Sequence, residues 1–146
     1  MTNILFHCDN IEAMEYLIKN GFENKIDLIY IDPPFLTRDK YFLRTQGSQR
    51  LAFDDTFRGG NPLKIYLDNM YPRLQNIRRL LSPSGSLFIH MDWHMVHYIK
   101  VVMDELFGYR NFRNEIVIKR GRRKNLVYQF KSMGRMHIAN DSILWY

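Results

Sequence analysis

The feature that most constrains this chain is a short apolar run, Ile26 to Ile31, broken only by Asp27 and stopped at once by Asp32-Pro33-Pro34-Phe35. A near-continuous run of that length suits a strand buried on both faces of a parallel sheet. Two successive prolines cannot continue the strand, because each fixes its φ angle and lacks an N–H for the ladder. Ligands of open α/β sheets bind beyond the carboxyl ends of the strands, where this tetrapeptide falls.

The flanking sequence alternates in the same sense. Residues 3–8 read as a strand. Asp9 or Asn10 can cap a helix over about 10–20, with Ile11, Met14, Leu17 and Ile18 at helical spacing and Gly21 at the C-cap. Residues 36–60 carry no clean period and are read as a long irregular stretch, of the kind that is usually functional. Asn61-Pro62 pairs a cap with a first-turn proline. Leu63, Tyr66, Leu67, Met70, Leu74, Ile77 and Leu81 then mark one helical face, which Pro72 should kink or split. Ser82 to Gly85 reads as a turn, 86–90 as a strand, and 93–107 as a helix capped by Asp92 and ended by Gly108. Residues 115–119 and 142–146 read as further strands. Strands alternating with helices predict an α/β domain with a mainly parallel sheet and helices on both faces.

The composition is that of a folded globular domain, with 46% of residues apolar and 25% charged. Its 146 residues suit one core. The single cysteine, Cys8, excludes an internal disulfide and fits a reducing compartment. No N-terminal signal pattern is visible, and no apolar run approaches the ~20 residues that cross a bilayer, so a soluble, cytoplasmic protein is expected. Of 21 basic residues, seven (Lys119, Arg120, Arg122, Arg123, Lys124, Lys131 and Arg135) lie between Glu115 and Asp141 with no acid among them. Without them, 14 basic residues face 15 acidic ones, so the net charge of +6 is one local feature. Such a segment (119–135) is either a solvated loop or a grip on a polyanion. Tyr128 and Phe130 within it are either base-stacking rings or buried anchors.

The tetrapeptide carries a defined chemistry. Asp32 offers a carboxylate, the turn offers backbone carbonyls as acceptors, and Phe35 offers a flat apolar face. An aromatic amine is a poor nucleophile because its lone pair is delocalised into the ring. Two acceptors holding both amine hydrogens favour a pyramidal nitrogen and localise that pair, while an aromatic ring holds the heterocycle. The bland alternative is a capped turn at a strand end. The apolar strand before it and Phe35 after it favour the site. His90, Asp92, His94 and His97 invite a zinc reading, but a strand position, a helix cap and a solvated helix face account for them, and no metal is expected.

At this point the chain resembles the DNA amino-methyltransferases whose catalytic motif precedes the cofactor loop, and most of all the adenine-specific enzymes of restriction–modification systems. The likeness runs through Asp27-Leu28-Ile29-Tyr30-Ile31-Asp32-Pro33-Pro34-Phe35, Arg73-Leu74, Arg79-Leu80-Leu81 and Gly85-Ser86-Leu87-Phe88-Ile89-His90. It continues through Asp92-Trp93, His97-Tyr98-Ile99-Lys100, Phe107-Gly108, Phe112-Arg113-Asn114-Glu115-Ile116 and Asp141-Ser142-Ile143-Leu144.

The resemblance implies a partial Rossmann-like methyltransferase fold and S-adenosylmethionine as methyl donor. It implies double-stranded DNA as substrate, with the target base flipped from the duplex. Asp32 and the carbonyl of Pro33, stiffened by Pro34, would hold the target amine, and Phe35 would stack on the base. An aspartate in this motif usually goes with adenine; cytosine-amine enzymes more often carry serine there. Asp9 resembles an acid that contacts the cofactor's adenosine part, although the family more often has glycine where this chain has Cys8. The basic segment would grip phosphates. A homodimer and a restriction-subunit partner are compatible with the family.

One departure stands out: the family's Phe-x-Gly-x-Gly cofactor loop has no counterpart, since no Gly-x-Gly occurs in the chain. The chain therefore reads as a catalytic part, truncated before that loop. A cytosine-amine enzyme, a half-enzyme completed by another chain and a non-catalytic DNA-binding fragment are the alternatives. Glycine-rich loops let backbone approach a ligand closely. This chain by itself is accordingly expected to bind S-adenosylmethionine more weakly than micromolar, as read by titration calorimetry.

Overall fold

The computed structural model describes residues 3–37, 40–45, 48–54, 60–120 and 138–146. Helix α1 (Asn10–Leu17) is capped by Asp9, whose Oδ1 accepts the Ile11 N–H at 2.8 Å, and runs into a wider turn, Ile18–Phe22. Gly21 there takes φ +83°, the left-handed value expected of a terminating glycine. Strand β1 is Ile26–Ile31. Helix α2 (Pro62–Leu80) starts at Asn61, whose Oδ1 accepts the N–H groups of Leu63 and Lys64. It runs through Pro72 unsplit. Tyr66, Met70, Leu74 and Ile77 are buried on both sides of the proline and hold both halves against the sheet.

Strand β4 (Leu81–Met91) comes next, then helix α3 (Val96–Met103), which continues through a wide turn to Gly108 and a short 3-10 turn, Tyr109–Asn111. Strands β5 (Asn114–Lys119) and β6 (Asn140–Trp145) complete a four-stranded sheet of order β1-β4-β6-β5. The α/β class stands, with a mixed sheet. β1 and β4 are parallel, with α2 as their crossover, while β6 runs antiparallel to both β4 and β5.

Ile29, Ile31, Leu87, Ile89, Met91 and Leu144 join residues of α1, α2 and α3 in a single core cluster. Helices thus cover one face of the sheet among the described residues, rather than both. On the other face Leu28 and Tyr30 of β1 are 63% and 55% exposed, so β1 is an edge strand buried on one side only. The expected strand at 3–8 forms no ladder, and Leu5 is almost fully exposed. An isolated apolar segment gains nothing from strand geometry without a neighbouring edge to pair with.

The stretch read as irregular contains a hairpin, β2 (Lys40–Thr45) with β3 (Ser48–Asp54), forming its own two-stranded sheet. Its ladder runs from Lys40 opposite Asp54 to Thr45 opposite Ser48. Phe42, Leu43 and Leu51 are exposed.

The expected turn at Ser82–Gly85 lies inside β4 as an irregularity. Ile26 pairs with Leu81, yet Leu28 pairs with Ser86. At Gly85 an added Cβ would lie 2.8 Å from the Ile26 carbonyl oxygen and 2.9 Å from Leu81 Cδ1. Gly85→Ala should therefore destabilise the fold by roughly 1–3 kcal/mol, the usual range for overpacking, measured by urea denaturation. A neutral result would mean that the β1–β4 junction yields easily.

Candidate functional site

Asp32 lies one residue past the end of β1, and His90 lies one residue past Ile89, the partner of Ile31. The parallel register therefore sets the two side chains abreast on the open face. His90 Nδ1 is 3.2 Å from Asp32 Oδ1, and the Asp32 side chain is 56% exposed. His90 Nε2 faces Asp141 of β6 at 3.6 Å from Oδ2. Asp141 Oδ1 in turn is 2.6 Å from Arg120 Nη2, and the same nitrogen lies 3.5 Å from Asp92 Oδ2. The carboxylate of Asp141, then burial acting in the opposite sense, then the further pull of both acids, leave the Arg120 guanidinium above its ordinary pKa.

The two prolines are held from the helix side. Tyr66, fully buried on α2, donates its hydroxyl to the Pro34 carbonyl at 2.7 Å. Of the two proline carbonyls, Pro34's is thus occupied. Phe35 is half-buried against the core and meets the His90 ring edge-on, 5.4 Å between centroids at 74°. Leu36, immediately after it, is buried with φ +56°, a left-handed conformation uncommon for a branched side chain.

On the helix side of the motif, Asp32, Pro33 and Pro34 line one open cavity of about 730 Å³ together with Asp9 and Arg73. Ile29, Ile31, Met14 and Met70 supply its apolar walls. Arg73 Nη2 reaches Asp9 at 3.0 Å, and Arg73 Nε donates to Asn10 Oδ1 at 2.9 Å. The carboxylate of Asp9 therefore has two structural duties, capping α1 and pairing with Arg73. A cavity of this size with a few convergent polar groups falls within the range of small-molecule sites.

Of the residues singled out in the sequence, Asp9, Asp32, Pro33 and Pro34 line one cavity, and Phe35 follows them in the chain. Sequence reasoning missed His90 as the neighbour of Asp32, although the β1–β4 alignment of the two apolar runs would have paired them. It also missed Asp141, Tyr66 and Arg73, whose roles depend on tertiary contacts.

Of the four residues weighed for zinc, His97 is exposed on α3. His90 faces Asp32 and Asp141. His94 donates its backbone N–H to Asp92 at 2.9 Å, sets Nδ1 2.7 Å from that carboxylate and stacks on Trp93. Among the described residues no group of three or more His, Cys, Asp or Glu is arranged to hold a metal. Of the basic segment, Lys119 ends β5 and Arg120 is tied to Asp141 and Asp92. Arg122, Arg123, Lys124, Lys131 and Arg135 lie outside the described residues, as do Tyr128 and Phe130. Among the described residues on either side of them, the Arg120 N–H donates to the Ala139 carbonyl at 2.8 Å. Among the described residues no helix is long and apolar enough to cross a membrane.

Removing the Tyr66 hydroxyl leaves the Pro34 carbonyl without its donor. Tyr66→Phe should cost about 0.5–1.5 kcal/mol in urea unfolding, the net worth of a typical hydrogen bond. No loss would mean that water takes over that carbonyl.

Known proteins match both the sequence and the fold. Residues 26–146 match the family model described as DNA methylase. The Mod subunit of the type III restriction-modification enzyme EcoP15I from Escherichia coli is 30% identical over 134 residues, which are 80% of this chain and 21% of that protein. The type II methyltransferase M.EcaI from Enterobacter cloacae is 30% identical over 146 residues, all of this chain and 29% of that protein. The chain thus spans less than a third of the length of these relatives. The crystal structure of an M1.HpyAVI–SAM complex superposes with a TM-score of 0.57 at 15% identity, over 96% of this chain and 50% of that one, which shows a shared α/β fold. With the family model covering most of the chain, this protein belongs to the DNA methylase family.

Proposed function

We propose that this chain provides the amine-binding half of an enzyme that methylates the exocyclic amine of adenine in DNA. The observation that carries the proposal is the placement of Asp32 and Pro33 at the end of β1, on the wall of the cavity that also holds Asp9. Acceptors for an amine thus lie beside a pocket of a size suited to a small-molecule methyl donor.

In this reading Asp32 accepts one amine hydrogen and the Pro33 carbonyl accepts the other, because the Pro34 carbonyl already serves Tyr66. Holding both hydrogens frees the nitrogen lone pair for attack. Phe35, beside His90, presents its remaining exposed surface to the base. Asp9 holds the adenosine part of the cofactor. When bound, S-adenosylmethionine supplies an electrophilic methyl carbon for in-line displacement. The chain's own contribution is then positioning, which can account for a large share of the rate.

The DNA would lie over the end of the sheet where Arg120 and Ala139 anchor the basic segment. Lys119, Arg122, Arg123, Lys124, Lys131 and Arg135 would grip phosphates there, orienting the duplex without reading its sequence. Arg120 is instead occupied by Asp141 and Asp92, so its part is to anchor the segment. The type III relative's name, a restriction-modification Mod subunit, supports a restriction subunit as a partner.

Methyl transfer to unmethylated mixed-sequence DNA, by this chain and by the chain extended with whatever its gene encodes next, read as modified nucleosides by mass spectrometry, tests the proposal. The expected product is N6-methyladenine, falling at least about 100-fold in Asp32→Ala, on the scale of a lost positioning contact. N4-methylcytosine would move the substrate to cytosine. Salt-sensitive DNA binding without transfer would favour a non-catalytic role.

A further inference from the structure

We infer that His90 is a positioning residue for Asp32, steadied on its far side by Asp141. The inference rests on the proposed role of Asp32 as an amine acceptor. A carboxylate at the end of an edge strand, more than half exposed, is free to rotate. An acceptor that must meet an amine hydrogen in one orientation gains from a fixed partner, since small misplacements at a reacting centre are costly. His90 Nδ1 lies 3.2 Å from Oδ1 of Asp32, close enough to engage one oxygen and leave Oδ2 for the amine.

The ring itself is confined. It sits on β4, the central neighbour of β1, where the register leaves it one place beyond the Ile31–Ile89 pair. Phe35 meets it edge-on. Among the described residues its Nε2 is buried without a hydrogen-bond partner and faces Asp141 Oδ2 at 3.6 Å, just outside bonding distance. Buried polar atoms left unpaired in a native fold call for a reason. Here the ring stands between two carboxylates, with Nδ1 3.2 Å from Asp32 and Nε2 3.6 Å from Asp141. Asp141 cannot swing away, because Arg120 lies 2.6 Å from its other oxygen and also reaches Asp92. The chain of contacts thus runs from the root of the basic segment to the acceptor in the motif, and each link joins a different element.

Asparagine and glutamine separate this role from simple packing. The Asn amide nitrogen occupies the place of Nδ1, whereas the Gln amide nitrogen falls near Nε2. In the methyl-transfer assay, His90→Ala is expected to lower kcat about 10- to 100-fold with little change in KM for S-adenosylmethionine. His90→Asn should recover most of that loss, and His90→Gln should not. Full activity in His90→Ala, alongside an inactive Asp32→Ala, would overturn the positioning role and leave the acceptor role of Asp32 intact. Wild-type activity in Asp32→Ala would instead overturn the proposed function. A readout independent of turnover is the 15N signal of His90 Nδ1 in the chain labelled at histidine. It should move in Asp32→Asn, and an unmoved signal would show that the two side chains are not bonded.

Discussion

The parallel pairing of β1 with β4 is the constraint on which the rest of this structure depends. It joins two apolar runs separated by a helix of five turns, and its register decides which side chains meet at the sheet's end. Alternate residues of both strands turn inward to the helices, so the next positions along, Asp32 and His90, emerge together on the opposite face. Tyr66 then fastens the proline turn to the helix that makes the crossover. One helix therefore both brings β4 back alongside β1 and fixes the turn in which β1 ends. That economy is characteristic of βαβ units, where ligand sites sit at strand ends.

The site is divided between the two sides of the motif. The helix side offers a cavity with apolar walls and the Asp9–Arg73 pair at its rim. The open side offers His90, Phe35 and the buried Asp141. A short turn without backbone donors separates them, so a small molecule on one side and a flat ring on the other could approach the same few atoms. Positive charge is treated differently from place to place. Arg73 and Arg120 are committed to carboxylates within the fold.

Much of this was legible from the residues. Caps at Asp9 and Asn61, the glycine stops at 21 and 108, and the strands at 26–31 and 86–90 all rest on local rules that tertiary structure left standing. The misses share a different cause. Residues 3–8 are apolar, but apolarity does not specify a partner edge, and none adjoins them among the described residues. Leu28 and Tyr30 look like core residues because a run of apolar side chains does not reveal which face is covered. In the hairpin of β2 and β3 the apolar Phe42, Leu43 and Leu51 are exposed, so apolar side chains there do not mark a core. Orientation within the sheet was equally hidden, since nothing in the six residues of β6 favours one direction of pairing. Asp141 and His90 are ordinary letters in sequence and acquire meaning only from register.

The left-handed backbone at Leu36 links the motif to the core in a further way. Such a conformation costs an L-residue about 1–2 kcal/mol, and glycine would adopt it freely. Here burial of the leucine side chain offsets that cost. The direction in which the chain leaves Phe35 is thus maintained by hydrophobic burial rather than by local preference. Orientation of the motif's aromatic ring and integrity of the core become one thermodynamic quantity. Loosening of the packing near Leu36, by heat or by denaturant, should release Phe35 before the sheet itself melts.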